Sequence, residues 1–101
     1  MEIKAVRRGQ RVVVRLSGEL DHHSAGQVRA TLDAVLCDVT VREMQLDLAG
    51  ITFMDSAGLG VVLGRYRLLA ARGGKLIVSN VCTSVDRIFR MSGLYALVER
   101  A

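Results

Sequence analysis

The sequence predicts an α/β fold: a single domain over residues 1–101, with a mixed β-sheet and helices packed mainly on one sheet face. Three observations carry this. Short β-branched runs alternate with stretches whose apolar residues recur every three or four positions, in the order β-β-α-β-α-β-α-β. The strand runs alternate apolar with polar, whereas a sheet covered on both faces would read as continuously apolar. The chain has no proline, no repeat and no low-complexity segment that would mark a linker. A domain of this size buries about 60–70% of the surface its unfolded form exposes.

At the start, Ile3 and Ala5 alternate with Glu2 and Lys4 as an edge strand, and Arg8-Gly9-Gln10 supplies a hairpin turn. Val12–Leu16 is a second strand with residues 12, 14 and 16 on one face, ended by Ser17-Gly18-Glu19-Leu20. Asp21 is expected to N-cap a helix running to about Cys37, because Ala25, Val28, Leu32, Val35 and Leu36 fall at helical steps. Met44, Leu46 and Leu48 alternate with Gln45 and Asp47 as a third strand. A loop then leads to a helix opening at Ser56, with Leu59, Val62, Leu63, Tyr66, Leu69 and Ala70 on one stripe and Arg72-Gly73-Gly74 closing it. Lys75–Ser79 is the fourth strand. Thr83 is expected to cap a last helix with Asp86 as its capping-box partner, and Val85, Ile88 and Phe89 facing inward. Gly93 stops that helix, and Ala96–Val98 reads as a final strand.

Composition narrows the function classes. The net charge of +4 could suit nucleic acid, but the arginines are scattered as Arg7-Arg8, Arg65/Arg67 and Arg87/Arg90, with no interleaved aromatics for base stacking. A solvated basic surface is the expectation, with no nucleic-acid partner. Cys37 and Cys82 lie far apart without metal-ligand spacing and read as buried thiols in a reducing compartment. No apolar run approaches the roughly 20 residues of a membrane span. No signal segment opens the chain. The expectation is a cytoplasmic protein with no membrane partner.

The segment Ile51–Gly64 concentrates the unusual choices: Asp55, then Ser56, then glycines at 58, 60 and 64. A hydrolase would need an activated serine, yet Met54 stands where the nucleophile elbow has its first glycine, and no third group is evident to orient His22 or His23. A dinucleotide site would use Gly58-x-Gly60, but the stretch from Leu48 to Gly58 is too long for the tight turn that fingerprint requires, and Ser79-Asn80 stands where an acidic residue is needed. Helix capping by Ser56 is the plainest role. It leaves unexplained three glycines inside one helix, each costing roughly 1 kcal/mol relative to alanine. A side-chain-poor docking surface around Ser56 accounts for them.

Four blocks then become recognisable: Gly18-Glu-Leu-Asp-His-His23, Phe53-Met-Asp-Ser56 with Gly58-Leu-Gly-Val61, Leu63-Gly-Arg-Tyr66, and Met91-Ser-Gly-Leu94. In this order and over the whole chain they resemble the STAS-domain anti-sigma factor antagonists, in particular the sporulation branch that acts on the anti-sigma F factor. The resemblance implies a non-enzymatic module without a cofactor, monomeric alone, whose partner is an anti-sigma factor serine kinase. Binding frees the sigma factor; the kinase uses its own ATP to phosphorylate Ser56, and a PP2C-type phosphatase reverses it. The implied contact residues are Asp21, His22, Asp55, Ser56, Ala57, Gly58, Leu59, Gly60 and Arg65. Ala57 departs from relatives that often carry a hydroxyl there, and so leaves Ser56 as the single acceptor. A STAS module serving a stress pathway or a transporter, and a small nucleotide-binding or hydrolytic enzyme, are the competing readings.

Overall fold

Gly9 adopts the left-handed conformation at φ +61, and this lets the chain reverse between two antiparallel strands, β1 (Glu2–Arg8) and β2 (Arg11–Leu20). The structure is a computed structural model describing residues 1–101. After β2 come α1 (Ala25–Leu36), β3 (Glu43–Met54), α2 (Ser56–Ala71), β4 (Lys75–Ser79), α3 (Thr83–Ser92), a 3₁₀ turn at Leu94–Ala96 and the short β5 (Glu99–Arg100). The sheet order is β1-β2-β3-β4-β5, with β2 through β5 parallel.

The register explains the core. Val12 sits beside Met44, and Met44 beside Leu76; Val14 sits beside Leu46, and Leu46 beside Val78. These rows share one apolar cluster with Val28 and Leu32 of α1, Val62 and Leu69 of α2, and Val85 and Phe89 of α3. Full burial of such a side chain contributes about 1.5–3 kcal/mol. The alternate residues face away from the helices and are tied by polar contacts, including Arg11 to Glu43 at 2.9 Å and Arg15 to Asp47 at 3.3 Å. The sheet is therefore covered on one face, as expected.

Several boundaries differ from the sequence expectation. Strands β2 and β3 stay paired past Leu16 and Leu48 as far as Leu20 and Met54, and register shifts between Arg15 and Ser17 and between Gly18 and Glu19 break the two-residue alternation that marks a strand in sequence. Gly50 permits this approach: a Cβ there would lie 2.3 Å from the Ser17 hydroxyl. Asp21 does not N-cap α1. It closes a separate turn, its carboxylate accepting from the His23 and Ser24 N–H groups at 2.9 and 3.1 Å, and Ser24 is the N-cap residue. The Ser24 hydroxyl makes no capping bond because it donates to the Glu19 carbonyl at 2.7 Å.

Thr83 lies inside α3 rather than capping it; Cys82 holds that position. Asp86 forms no capping box, because its carboxylate accepts from Tyr95 and Arg90 at 2.6 Å and from Arg100 at 3.2 Å. Residues 96–98 are not a strand; the chain turns through 3₁₀ geometry before β5. On α2, Val61 and Arg65 are buried while Ala70 is exposed, so the buried stripe is rotated from the expected one. Both cysteines are free, but Cys37 is exposed and Cys82 half-buried, not core thiols. Gly73 and Gly93 end α2 and α3 at φ +73 and +76, as expected.

Candidate functional site

Two strand-to-helix crossovers meet on one rim of the sheet, because β2 and β3 are parallel and end side by side with Leu20 paired to Met54. The Asp21 turn follows the first and Asp55 follows the second. Asp55 has extended backbone geometry and N-caps α2: Oδ1 accepts from the Ala57 and Gly58 N–H groups at 2.9 and 3.1 Å. Its other oxygen, Oδ2, accepts from the His22 N–H at 3.1 Å and lies 3.4 Å from His22 Nδ1. One carboxylate therefore joins both crossovers. The sequence reading missed this tie, since nothing local to His22 announces a partner so distant in the chain.

The electrostatics agree with this geometry. The Gly58 N–H, followed by the backbone and ring of His22 and the Ala57 N–H, outweighs desolvation and holds the Asp55 carboxyl below its usual range. For Asp21, desolvation is the largest single influence and acts upward. The Ser24 and His23 N–H groups and the nearby His23 and His22 rings outweigh it, and the net shift is downward. Both groups are carboxylates at neutral pH.

Ser56 is the first residue of α2 and is exposed. The cap belongs to Asp55, so the expected capping role of Ser56 is corrected: its hydroxyl stands free of that job. The expected loop before it is also corrected, because residues 49–54 are strand and Asp55 alone makes the turn. The length objection to a dinucleotide site thereby falls. A stronger one replaces it: the helix N–H groups a pyrophosphate would need are already held by the Asp55 carboxylate.

The glycines divide into two kinds. Gly58 is buried, and a Cβ there would lie 2.3 Å from the Leu20 carbonyl oxygen and 2.8 Å from Met54 Cγ. It serves close packing of α2 on the end of β2 and not clearance for a partner. Gly60 and Gly64 meet open space and keep that part of α2 bare. Ala57 and Leu59 are half-buried and packed on the core edge. Phe53, 48% exposed at the end of β3, adds an apolar surface beside Asp55 that the sequence reading did not select.

Arg65 does not belong to this surface. It is 8% exposed, and its Nε lies 3.1 Å from Asp33 Oδ1 of α1, although the atoms are too poorly aligned for a hydrogen bond. Burial between α1 and α2 removes it from the contact residues. The structure thus gathers Asp21, His22, Asp55, Ser56, Ala57, Leu59 and Gly60 at one end of α2, and sets Gly58 and Arg65 inside. No group of three or more His, Cys, Asp or Glu side chains converges to hold a metal. The roomiest depression, about 470 Å³ and lined by Gln10, Arg42, Glu43, Gly73, Gly74 and Lys75, lies at the opposite ends of the strands, where Lys75 is ion-paired to Glu43 and Glu99.

Comparison with known proteins agrees with this arrangement. The STAS domain family matches residues 2–100. An anti-sigma F factor antagonist from Paenibacillus polymyxa is 44% identical over 87 residues, which are 86% of this chain and 74% of that protein. A protein of the same description from Lysinibacillus sphaericus is 46% identical over 83 residues, 82% of this chain and 71% of its own. The solved structure of the Bacillus cell fate determinant SpoIIAA in its phosphorylated form superposes with a TM-score of 0.79 at 35% identity, covering 99% of this chain and 91% of that one. With a one-sided five-stranded sheet, the shared crossover rim and this extent of similarity, the chain belongs to the STAS domain family.

Proposed function

We propose that this protein is an anti-sigma factor antagonist: its unmodified form docks the rim around Ser56 on an anti-sigma factor serine kinase and frees the sigma factor. Phosphorylation of Ser56 by that kinase, from the kinase's own ATP, switches it off, and a PP2C-type phosphatase restores it. Two relatives described as anti-sigma F factor antagonists support this reading, and in it the protein acts in the cytoplasm on sporulation transcription. In this reading the chain has no catalytic activity of its own and is monomeric when alone.

The observation that carries the switch is the exposed Ser56 hydroxyl beside a cap that is already complete. The Ala57 and Gly58 N–H groups are held by Asp55, so a phosphate cannot fold into the helix end in their place. Its charge of about −1.5 to −2 stands instead on the surface beside the Asp55 carboxylate. A partner docking there would desolvate and oppose that charge. The fold itself makes no use of the hydroxyl and keeps its packing. Ala57 leaves the motif a single acceptor.

The test incubates the protein with candidate anti-sigma kinases and labelled ATP and maps the modified residue. Ser56→Ala binds the kinase and takes no label, and Ser56→Asp loses binding while its circular dichroism and melting stay close to those of the parent. Full-affinity binding by Ser56→Asp sinks the charge switch, and label on Ser56→Ala moves the site.

A further inference from the structure

The sheet face turned away from the helices has no covering element, and its β1–β2 half is laid out in rows. The antiparallel register sets Lys4 beside Arg15, Val6 beside Val13 and Arg8 beside Arg11. These residues alternate with Val12 and Val14, which belong to the core, so all six share the open face. The rows therefore read cation, apolar, cation outward along β1. Lys4, Val6, Arg8, Val13, Arg15 and Asp47 line a depression of about 250 Å³, and Val6 is 52% exposed.

Charge is balanced on the inner column but not on the outer one. Arg15 and Arg11 of β2 have Asp47 and Glu43 of β3. On β1, Lys4 has only the exposed Glu2 at 3.8 Å, a contact of little worth in solvent, and Arg8 is without an ion-pair partner. β1 is also the terminal strand, paired on one side by β2, and its other edge presents unpaired backbone groups.

We propose that β1 is a docking edge for an extended acidic peptide of a partner protein, which adds as a sixth strand with carboxylate, apolar and carboxylate side chains beside Lys4, Val6 and Arg8. Main-chain hydrogen bonds would hold such a segment, and the alternate side chains would select it. Facing side chains on neighbouring strands lie about 4.5–5.5 Å apart, within reach of ion pairing. A second copy fits poorly, because antiparallel pairing of two β1 strands about Val6 sets Lys4 against Arg8. None of the six residues of these rows is aromatic, so they offer a nucleobase nothing to stack on. The edge is separate from the Ser56 rim and stands without the function proposed above.

Fluorescence anisotropy with a labelled synthetic peptide centred on Glu-Thr-Val-Thr-Glu tests this on the full chain. Binding is expected to saturate, to weaken roughly tenfold or more in Lys4→Glu/Arg8→Glu, and to return in that variant with a Lys-Thr-Val-Thr-Lys peptide. Deuterium exchange should slow along residues 2–8 on binding, and Ser56→Asp should bind the peptide as the parent does. Both altered residues are exposed, and a melting curve verifies the fold of the variant. The proposal is overturned by no binding or by equal binding of a peptide with the same residues in scrambled order. Protection away from β1, or tighter binding of an oligonucleotide or of phosphatidylglycerol vesicles, also overturns it.

Discussion

Asp38 and Arg65 show how differently single charged residues act in this molecule. Asp38 is exposed and accepts from the Thr40 hydroxyl at 2.7 Å, the Thr40 N–H and Arg7; with the hydroxyl first, these lower its pKa from 3.8 to about 2. A folded-state value below the unfolded one stabilises the protein above the unfolded pKa. That contribution is lost as pH falls from 3.8 towards about 2. Asp55 shifts in the same direction. Asp38→Asn should therefore flatten the acid limb of a stability-versus-pH curve in that window, measured by urea midpoints. Arg65 is the opposite case, buried and imperfectly paired with Asp33. Removing one partner of a buried pair is costly when it strands a buried charge, but the Asp33 side chain is 44% exposed and stays solvated without Arg65. Arg65→Met should change stability by less than about 1.5 kcal/mol and leave kinase binding untouched; a selective binding loss would return Arg65 to the contact surface.

At the scale of the element, α2 separates two uses of glycine that one sequence pattern cannot distinguish. Gly58→Ala pushes a methyl group into the Leu20 carbonyl and should destabilise by about 1–3 kcal/mol. Gly60→Ala and Gly64→Ala add a methyl in open space and should each stabilise by about 0.4–1 kcal/mol. Thermal unfolding of the three variants checks the signs, and a pull-down with the kinase tells whether Gly60→Ala weakens docking while the fold gains. The helices and the alternating parts of the strands were legible because their periods are regular. The ends of β2 and β3 were not, since bulges erase the period there. The Asp21 turn, the Asp55 cap and the Asp86 cluster were misassigned because a short polar side chain signals a hydrogen bond without naming its partner. Burial of Gly58 and Arg65 depends on α1 and β2, which the local spacing on α2 does not contain.

Across the whole molecule, the one-sided sheet divides labour. Its covered face and the helices make a single core, and its rim carries Ser56. Its open face is polar and basic towards β1. The fold class was legible at this scale because alternation, crossover order and glycine stops all agree. The tie from the His22 N–H to Asp55 spans 33 residues, and it has a temporal consequence. The β1–β2 hairpin needs only local contacts, but this bond cannot close until α1 has crossed over and β3 has zipped alongside β2. A chain still being synthesised carries the Asp21 turn well before residue 55 exists. Ser56 is thus displayed in its finished setting only once β3 lies beside β2, and the rim marks the completion of that pairing.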